Sequence, residues 1–282
     1  MTAVATPAID LAAYFRRIGY AGEAEPTLDV LRAVQLAHAQ TIAFENLNPL
    51  LRWPVRLDAQ SLEQKLVIGR RGGYCFEQNT LLRHVLEGLG FRVQGLAARI
   101  LWGAPEDAIT PRGHLLLRVD VEETPYIVDA GFGVLTPTGP VRLEPHIEQA
   151  TPHETFRLLP LGDDYLMQAK LGARWRTLYR FGLEANYPPD YEVTNWYLSH
   201  HPASHFVTGL MAARPAPGRR YTLRNADFAI HFANGRTERR TLATAAEVRE
   251  TLEGPFCLTL PDAPELDPTL ARLLGGHHAG DI

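Results

Sequence analysis

Through roughly the first ninety positions apolar residues recur at helical spacing. "DLAAYFRRIG" sets Leu11, Tyr14, Phe15 and Ile18 three and four apart, and "TLDVLRAVQLAHAQTI" repeats the pattern less regularly with Leu28, Leu31 and Val34. Gly19 and the polar run "GEAEPT" separate the two. After Cys75, Leu81, Leu82, Val85, Leu86 and Leu89 make one apolar stripe that ends at Gly90, where a left-handed helix terminus takes glycine. The spacing predicts a helix of about fifteen residues with Cys75 in its first turn or at its N-cap.

From Phe91 the period changes. "FRVQGLAARILW", "HLLLRVDV" and "PYIVDAGFG" are short, rich in β-branched and aromatic residues, and bounded by turn formers, which predicts strands. More strands follow in "TFRLLPLGDDYLMQAKLGARWRTLYRF", with hairpin turns at "LGDDY" and "KLGARW". The stretch 212–220, "AARPAPGRR", reads as a linker, because its prolines and glycine favour neither helix nor central strand. Beyond it "YTLRNADFAIHFANGRTERRTLA" predicts a hairpin turning at Asn234-Gly235, followed by a short helix, "AAEVRETL", and an apolar strand, "FCLTL". No internal repeat is visible, and the last eight residues read as loose. Helices followed by strands make this an α+β chain.

With 45% hydrophobic residues in 282 the chain has ample material for a core. A net charge of -4, with both signs interspersed, leaves no basic stripe for a nucleic acid. No basic segment precedes an apolar run at the N-terminus, and nowhere do eighteen apolar residues stand together, so neither secretion nor membrane spanning is expected. Two cysteines, Cys75 and Cys257, are no disulfide framework and too few for a structural zinc; no metal is expected, and a cytoplasmic protein is. Cys257, inside "PFCLTL", reads as core. All but two of the 28 basic residues are arginines, Lys65 and Lys170 being the exceptions, so phosphate contacts are expected from arginine or main-chain N–H groups.

Against that background "RRGGYCFEQN" draws attention to Cys75. A thiol at a helix N-terminus meets the positive end of the macrodipole, and a neighbouring imidazolium favours thiolate further. If the chain reverses through Asp120 to Glu123, Arg118 pairs with Pro125 and His114 with Asp129. Directly opposed residues have Cβ atoms about 4.5–5.5 Å apart, so the carboxylate reaches the imidazole and leaves its other nitrogen free to move a proton. Gly72 and Gly73 would bring backbone N–H groups to the oxygen of a tetrahedral intermediate. Taken singly, each residue has a plain alternative. A cysteine among aromatics is commonly a small buried hydrophobe, a histidine among apolar residues a structural donor, and an aspartate before Ala-Gly a turn former. Spacing alone does not decide.

"TIAFENLNPLL", "RRGGYCFEQN", "GHLLLRV", "VDAGFG" and "NWYLSHHPASHF" together resemble the arylamine N-acetyltransferase family over most of the chain. The resemblance implies an N-terminal helical bundle over 1–92, a central antiparallel β-barrel over 93–210 and a C-terminal α/β lid over 211–282, the first two related to papain-like and transglutaminase-like cysteine enzymes. It implies a Cys75–His114–Asp129 triad and acetyl-CoA-dependent N-acetylation of arylamines and arylhydrazines, a ping-pong reaction of xenobiotic metabolism that passes through an acetyl-cysteine. Phe44, Ile100 and Phe132 match residues lining the arylamine pocket, while ordinary core fits Phe44 and Ile100 equally well. Trp102, Phe206 and His231 match contacts to coenzyme A, and Arg71 with Glu45 a structural ion pair. The implied partners are a small amine or hydrazine and coenzyme A, with a homodimer allowed and no nucleic acid or membrane. Two positions depart from the family: Ala43 stands where proline is common, and His200-His201 where a small polar pair follows "NWYLS". Three rivals stay open: a thiol amidase with the same triad, an amide synthase of the same fold that joins an aromatic amine to a carrier-bound acyl chain, and a non-catalytic coenzyme-binding protein.

Overall fold

The computed structural model describes residues 9–275. The first stretch is helical: α1 (Leu11–Ile18), α2 (Leu28–Thr41), a two-residue strand β1 (Phe44–Glu45), α3 (Leu47–Leu50), α4 (Ala59–Leu62), a π-helical stretch (Glu63–Ile68) and α5 (Cys75–Gly88). Local chemistry sets the boundaries. Asp10 caps α1 by accepting from Ala13 N–H at 3.0 Å, a bond worth about 1 kcal/mol, and Gly19 ends that helix at φ +69°. At the start of α5 Glu77 turns back to accept Tyr74 N–H at 3.2 Å, and Gly90, at φ +87°, follows its end as predicted.

The strands β2 (Arg92–Ile100), β3 (His114–Val121), β4 (Thr124–Val128), β5 (Val141–Arg142), β6 (Gln149–Ala150), β7 (Thr155–Leu161), β8 (Asp164–Leu171) and β9 (Arg174–Phe181) form one antiparallel sheet in the order β5-β4-β3-β2-β9-β8-β7-β6. It curls into a nearly closed barrel. Gln149 joins its two ends by bonding Arg142 through both N–H, at 2.7 Å, and C=O, at 2.9 Å. Gly162 and Gly172, at φ near +60°, open the two predicted hairpins. β3 is buried on both faces. Leu115, Leu117 and Val119 pack with α5 in one core, and Leu116 points into the barrel with Ile127, Phe156 and Met167.

Then come α6 (Pro188–His200), α7 (His205–Thr208), β10 (Met211–Ala216), β11 (Arg219–Arg224), β12 (Asp227–Phe232), β13 (Thr237–Thr241), α8 (Ala245–Glu253) and α9 (Leu266–Gly275). The last four strands form a second antiparallel sheet in sequence order, and β1 adds to its β10 edge. Helices α8 and α9 share a third core with this sheet through Val248, Leu252, Leu266 and Leu270. Among the described residues no helix is long and apolar enough to cross a membrane.

Four expectations are corrected. The reversal between β3 and β4 is a two-residue turn at Glu122-Glu123, both at positive φ, so Val121 pairs with Thr124 and the register lies two residues from the predicted one. Glutamate is a poor signal for such a turn, which normally draws Asn or Gly. "AARPAPGRR" is a hairpin rather than a linker: Pro215 sits in β10 beyond the two residues that β1 pairs, where a missing N–H is tolerated. "FCLTL" forms no strand; Phe256 and Leu258 are buried by α8 and α9, two helices whose packing no local pattern announces. Cys257 is not core but exposed, on backbone at φ +55°. Apart from Gly275, which closes α9, the eight residues expected to be loose lie outside the described ones.

Candidate active site

Cys75 is the first residue of α5 and only 3% exposed. Its Sγ lies 3.8 Å from the Gly113 carbonyl, immediately before His114. The close approach depends on Gly131 in "VDAGFG": a Cβ there would stand 2.6 Å from Cys75 Cα, so only glycine lets the Asp129 loop pass the helix end.

His114 is the first residue of β3, and Asp129 directly follows the end of β4. The two-residue slip in register is even, so it preserves which face each side chain occupies, and the contact survives it. His114 Nε2 is 2.7 Å from Asp129 Oδ2, with both residues buried. A carboxylate only accepts, so Nε2 carries the proton and Nδ1 is the nitrogen left for Cys75. Burial alone would discharge the imidazole. The Asp129 charge and hydrogen bond, joined by Cys75, overcome this and hold His114 well above its ordinary value. Burial likewise opposes the Asp129 charge, yet His114, Asn79 and the Gly131 N–H keep it below the usual carboxylate range. The result is a cysteine sulfur, an imidazole biased toward its charged form and a carboxylate in one buried recess, the equipment of covalent acyl transfer.

Behind Cys75 lies a second charged group. Glu45 accepts from Arg71 Nη2 at 3.0 Å and Nε at 3.2 Å, as expected for a structural pair. Lys65, on the π-helical stretch, bonds Glu77 at 2.6 Å. Burial opposes the charge of both acids; Arg71 and Lys65 win at Glu45, which is held low, while Glu77 stays raised. The tandem glycines serve this packing. A Cβ on Gly72 would run into the Ala43 carbonyl, one on Gly73 would come 2.7 Å from Glu77 Oε2, and the Gly73 N–H already donates to Ala43 O at 3.3 Å. A helix leaves the N–H groups of its first turn without internal acceptors, and those of α5 begin at Cys75 itself.

A cavity of about 880 Å³ opens between the barrel and the second sheet. Phe44, Ile100, Phe132, Trp102 and Phe206 all line it. Phe132 reaches the recess edge-on to His114, with ring centres 5.5 Å apart. His231 does not line the cavity; it is bonded to Thr222, which does, at 3.1 Å. His205, inside the quoted "NWYLSHHPASHF", also lines the cavity, as do Arg224, Arg239 and Arg240, which nothing in the sequence distinguished from other surface arginines. Two more neighbours of the site were missed. Asn79, inside the quoted motif, contacts Asp129. Tyr179 packs 5.1 Å from His114 because a bulge opposite Met167/Gln168 buries Leu178 and Tyr179 together. The spacing from Cys75 signalled the first; no local pattern signals the second. Among the described residues no three of His, Cys, Asp or Glu gather as metal ligands.

The profile of a family described as N-acetyltransferase matches residues 27–265. An arylamine N-acetyltransferase of Mycobacterium tuberculosis is 46% identical over 279 residues, covering 95% of this chain and 98% of its own. The solved arylamine N-acetyltransferase of Mycobacterium marinum superposes with a TM-score of 0.91 at 44% identity, over 94% of this chain and all of that one. The same enzyme in complex with CoA gives 0.90 at 44% identity, over 94% and 99%.

Proposed function

The chain belongs to the arylamine N-acetyltransferase family, and on that premise we propose that it acetylates arylamines and arylhydrazines in two steps through Cys75. Acetyl-CoA is the donor substrate. The Cys75 thiolate attacks the acetyl carbonyl, the first-turn N–H groups of α5 receive the developing oxyanion, and the C–S bond to coenzyme A breaks. One thioester replaces another, so the step is nearly balanced in free energy. The leaving thiolate takes the His114 proton. In the second half an amine attacks the acetyl-cysteine, His114 removes its proton, and the amide leaves with the thiolate restored. Arylamines suit this step because they are largely unprotonated near neutral pH. Phe44, Ile100 and Phe132 form the walls for a flat ring, Trp102 and Phe206 flank the donor, and His231 adjoins the cleft through Thr222. In this reading residues 1–92 supply the nucleophile, 93–210 the imidazole and carboxylate, and 211–282 a wall of the cleft.

The observation that carries the reading is the buried His114–Asp129 pair beside Cys75 at the first residue of α5. Intact mass after brief mixing with acetyl-CoA tests it. The native chain is expected to gain one acetyl group, Cys75→Ala none, and an arylamine to discharge the adduct. A native chain that gains no acetyl group while consuming a carrier-linked acyl chain or an amide would overturn it in favour of a rival.

A further inference from the structure

Asn79 lies one helical turn beyond Cys75 on α5 and is fully buried. Residues four apart share a helix face, so the side of α5 that carries the sulfur also carries this amide. Every polar function of Asn79 is engaged. Nδ2 donates to Leu115 O at 2.6 Å and to Asp129 Oδ1 at 2.9 Å, and Oδ1 accepts from Ala130 N–H at 2.8 Å. Two acceptors on one side and one donor on the other allow a single amide orientation. Leu115 follows His114, and Ala130 follows Asp129. One side chain thus fastens the helix of the sulfur to the strand of the imidazole and to the carboxylate itself.

The carboxylate is held accordingly. Oδ1 receives Asn79 Nδ2 and the Gly131 N–H, the latter at 2.8 Å, and Oδ2 is left to His114 Nε2. Two N–H donors on Oδ1 require a bare oxygen there, and with His114 Nε2–H donating to Oδ2 both oxygens face donors, an arrangement that favours the ionised acid and fixes its rotation. The other titratable groups facing this point are His114 from β3, Cys75 from α5 and Tyr179 from β9.

We propose that Asn79 is a positioning residue for acyl transfer, whose amide keeps the Asp129 carboxylate ionised and aimed at His114, in step with the sulfur one turn before it. The inference rests on the roles given above to Cys75, His114 and Asp129. Asn79→Asp tests it, because it keeps the shape and replaces the donating group with oxygen. Two carboxylates would then face each other at Oδ1, and neither can donate to the other until the pair takes up a proton at lower pH. The rate of Cys75 acetylation, followed by intact mass, is expected to fall on the order of 10²-fold at neutral pH and to recover as pH is lowered. Asn79→Ala, with nothing to titrate, should show the loss without the acid recovery. A purely structural amide would lower the melting temperature of both variants and leave the pH profile unmoved. Folded variants that acetylate at the native rate with the native profile overturn the proposal. In the native chain the Asn79 side-chain amide protons, read by NMR, should shift as the His114–Asp129 pair titrates; indifference there overturns it without any substitution. A native chain that takes no acetyl group at all defeats the acyl-transfer reading first, and this one with it.

Discussion

At His114 two opposing effects set the charge. Removing an imidazole from water favours the neutral ring, but a carboxylate at 2.7 Å reverses the balance. The sign of the pH dependence follows. A raised imidazole contributes stability that is complete below its unfolded value of about 6.5 and lost as pH rises through the folded value. A lowered carboxylate contributes above its unfolded value of about 3.9 and loses it as pH falls through the folded value. The pair therefore stabilises most between roughly pH 4 and 6.5. Asp129→Asn should lower the melting temperature most within that window and less on either side; a decrement flat across pH counts against the pair. The same variant should slow Cys75 acetylation by up to about 10⁴-fold, because the amide favours the wrong tautomer. The exposure of Cys257 changes how Cys75 can be probed. Iodoacetamide should reach both thiols, and prior incubation with acetyl-CoA should spare Cys75 alone in peptide mass spectra. Equal labelling of Cys75 with and without acetyl-CoA would speak against an acetyl-enzyme.

Among the elements, α5 carries Cys75 and Asn79, and its seat is built from close backbone contacts and buried charge. "RRGGYCFEQN" marked the right place, but for a reason the fold replaces. Gly72 and Gly73 make room for Ala43, Glu45 and Glu77, and Gly131, in a different motif, lets the loop after Asp129 pass the helix end. Overpacking a dry site costs about 1–3 kcal/mol. Gly131→Ala should lower the urea midpoint accordingly, and should slow acetylation more than it destabilises, because it pushes on Cys75 itself. Arg71→Met leaves Glu45 buried without its main partner and should cost about 3–5 kcal/mol, measured in the same way. An unchanged midpoint would mean that Lys65, 3.9 Å from Glu45, carries the compensation instead. The β3–β4 pair shows what strand periodicity delivers. Side-chain parity was legible, the turn was not, and parity sufficed to bring His114 to Asp129.

For the whole molecule the decisive feature is the cleft between barrel and second sheet. Arg220, buried on β11, bonds Glu154 Oε1 through Nε at 2.7 Å and the Thr136 carbonyl through Nη2 at 2.9 Å, and His153 donates to Ala216 O at 2.8 Å. These bonds tie the second sheet to the barrel and to the loop that carries Asp129 and Phe132. Arg220→Met should therefore raise the KM for acetyl-CoA severalfold while acetylation at saturating donor changes little; an unchanged KM would mean that the cleft holds its width without the clamp. By itself the amino-acid order determined most of the helical and strand segments, the sidedness of β3 and β4, and the choice of Cys75, His114 and Asp129 as candidates, because periodicity and turn chemistry act over a few neighbours. Only the tertiary structure decided the bulge that aims Tyr179, the exposure of Cys257, the hairpin made of "AARPAPGRR" and the arginines around the cavity. Each of these depends on which distant segment packs alongside, and the burial and hydrogen bonds of those contacts outweigh local preference.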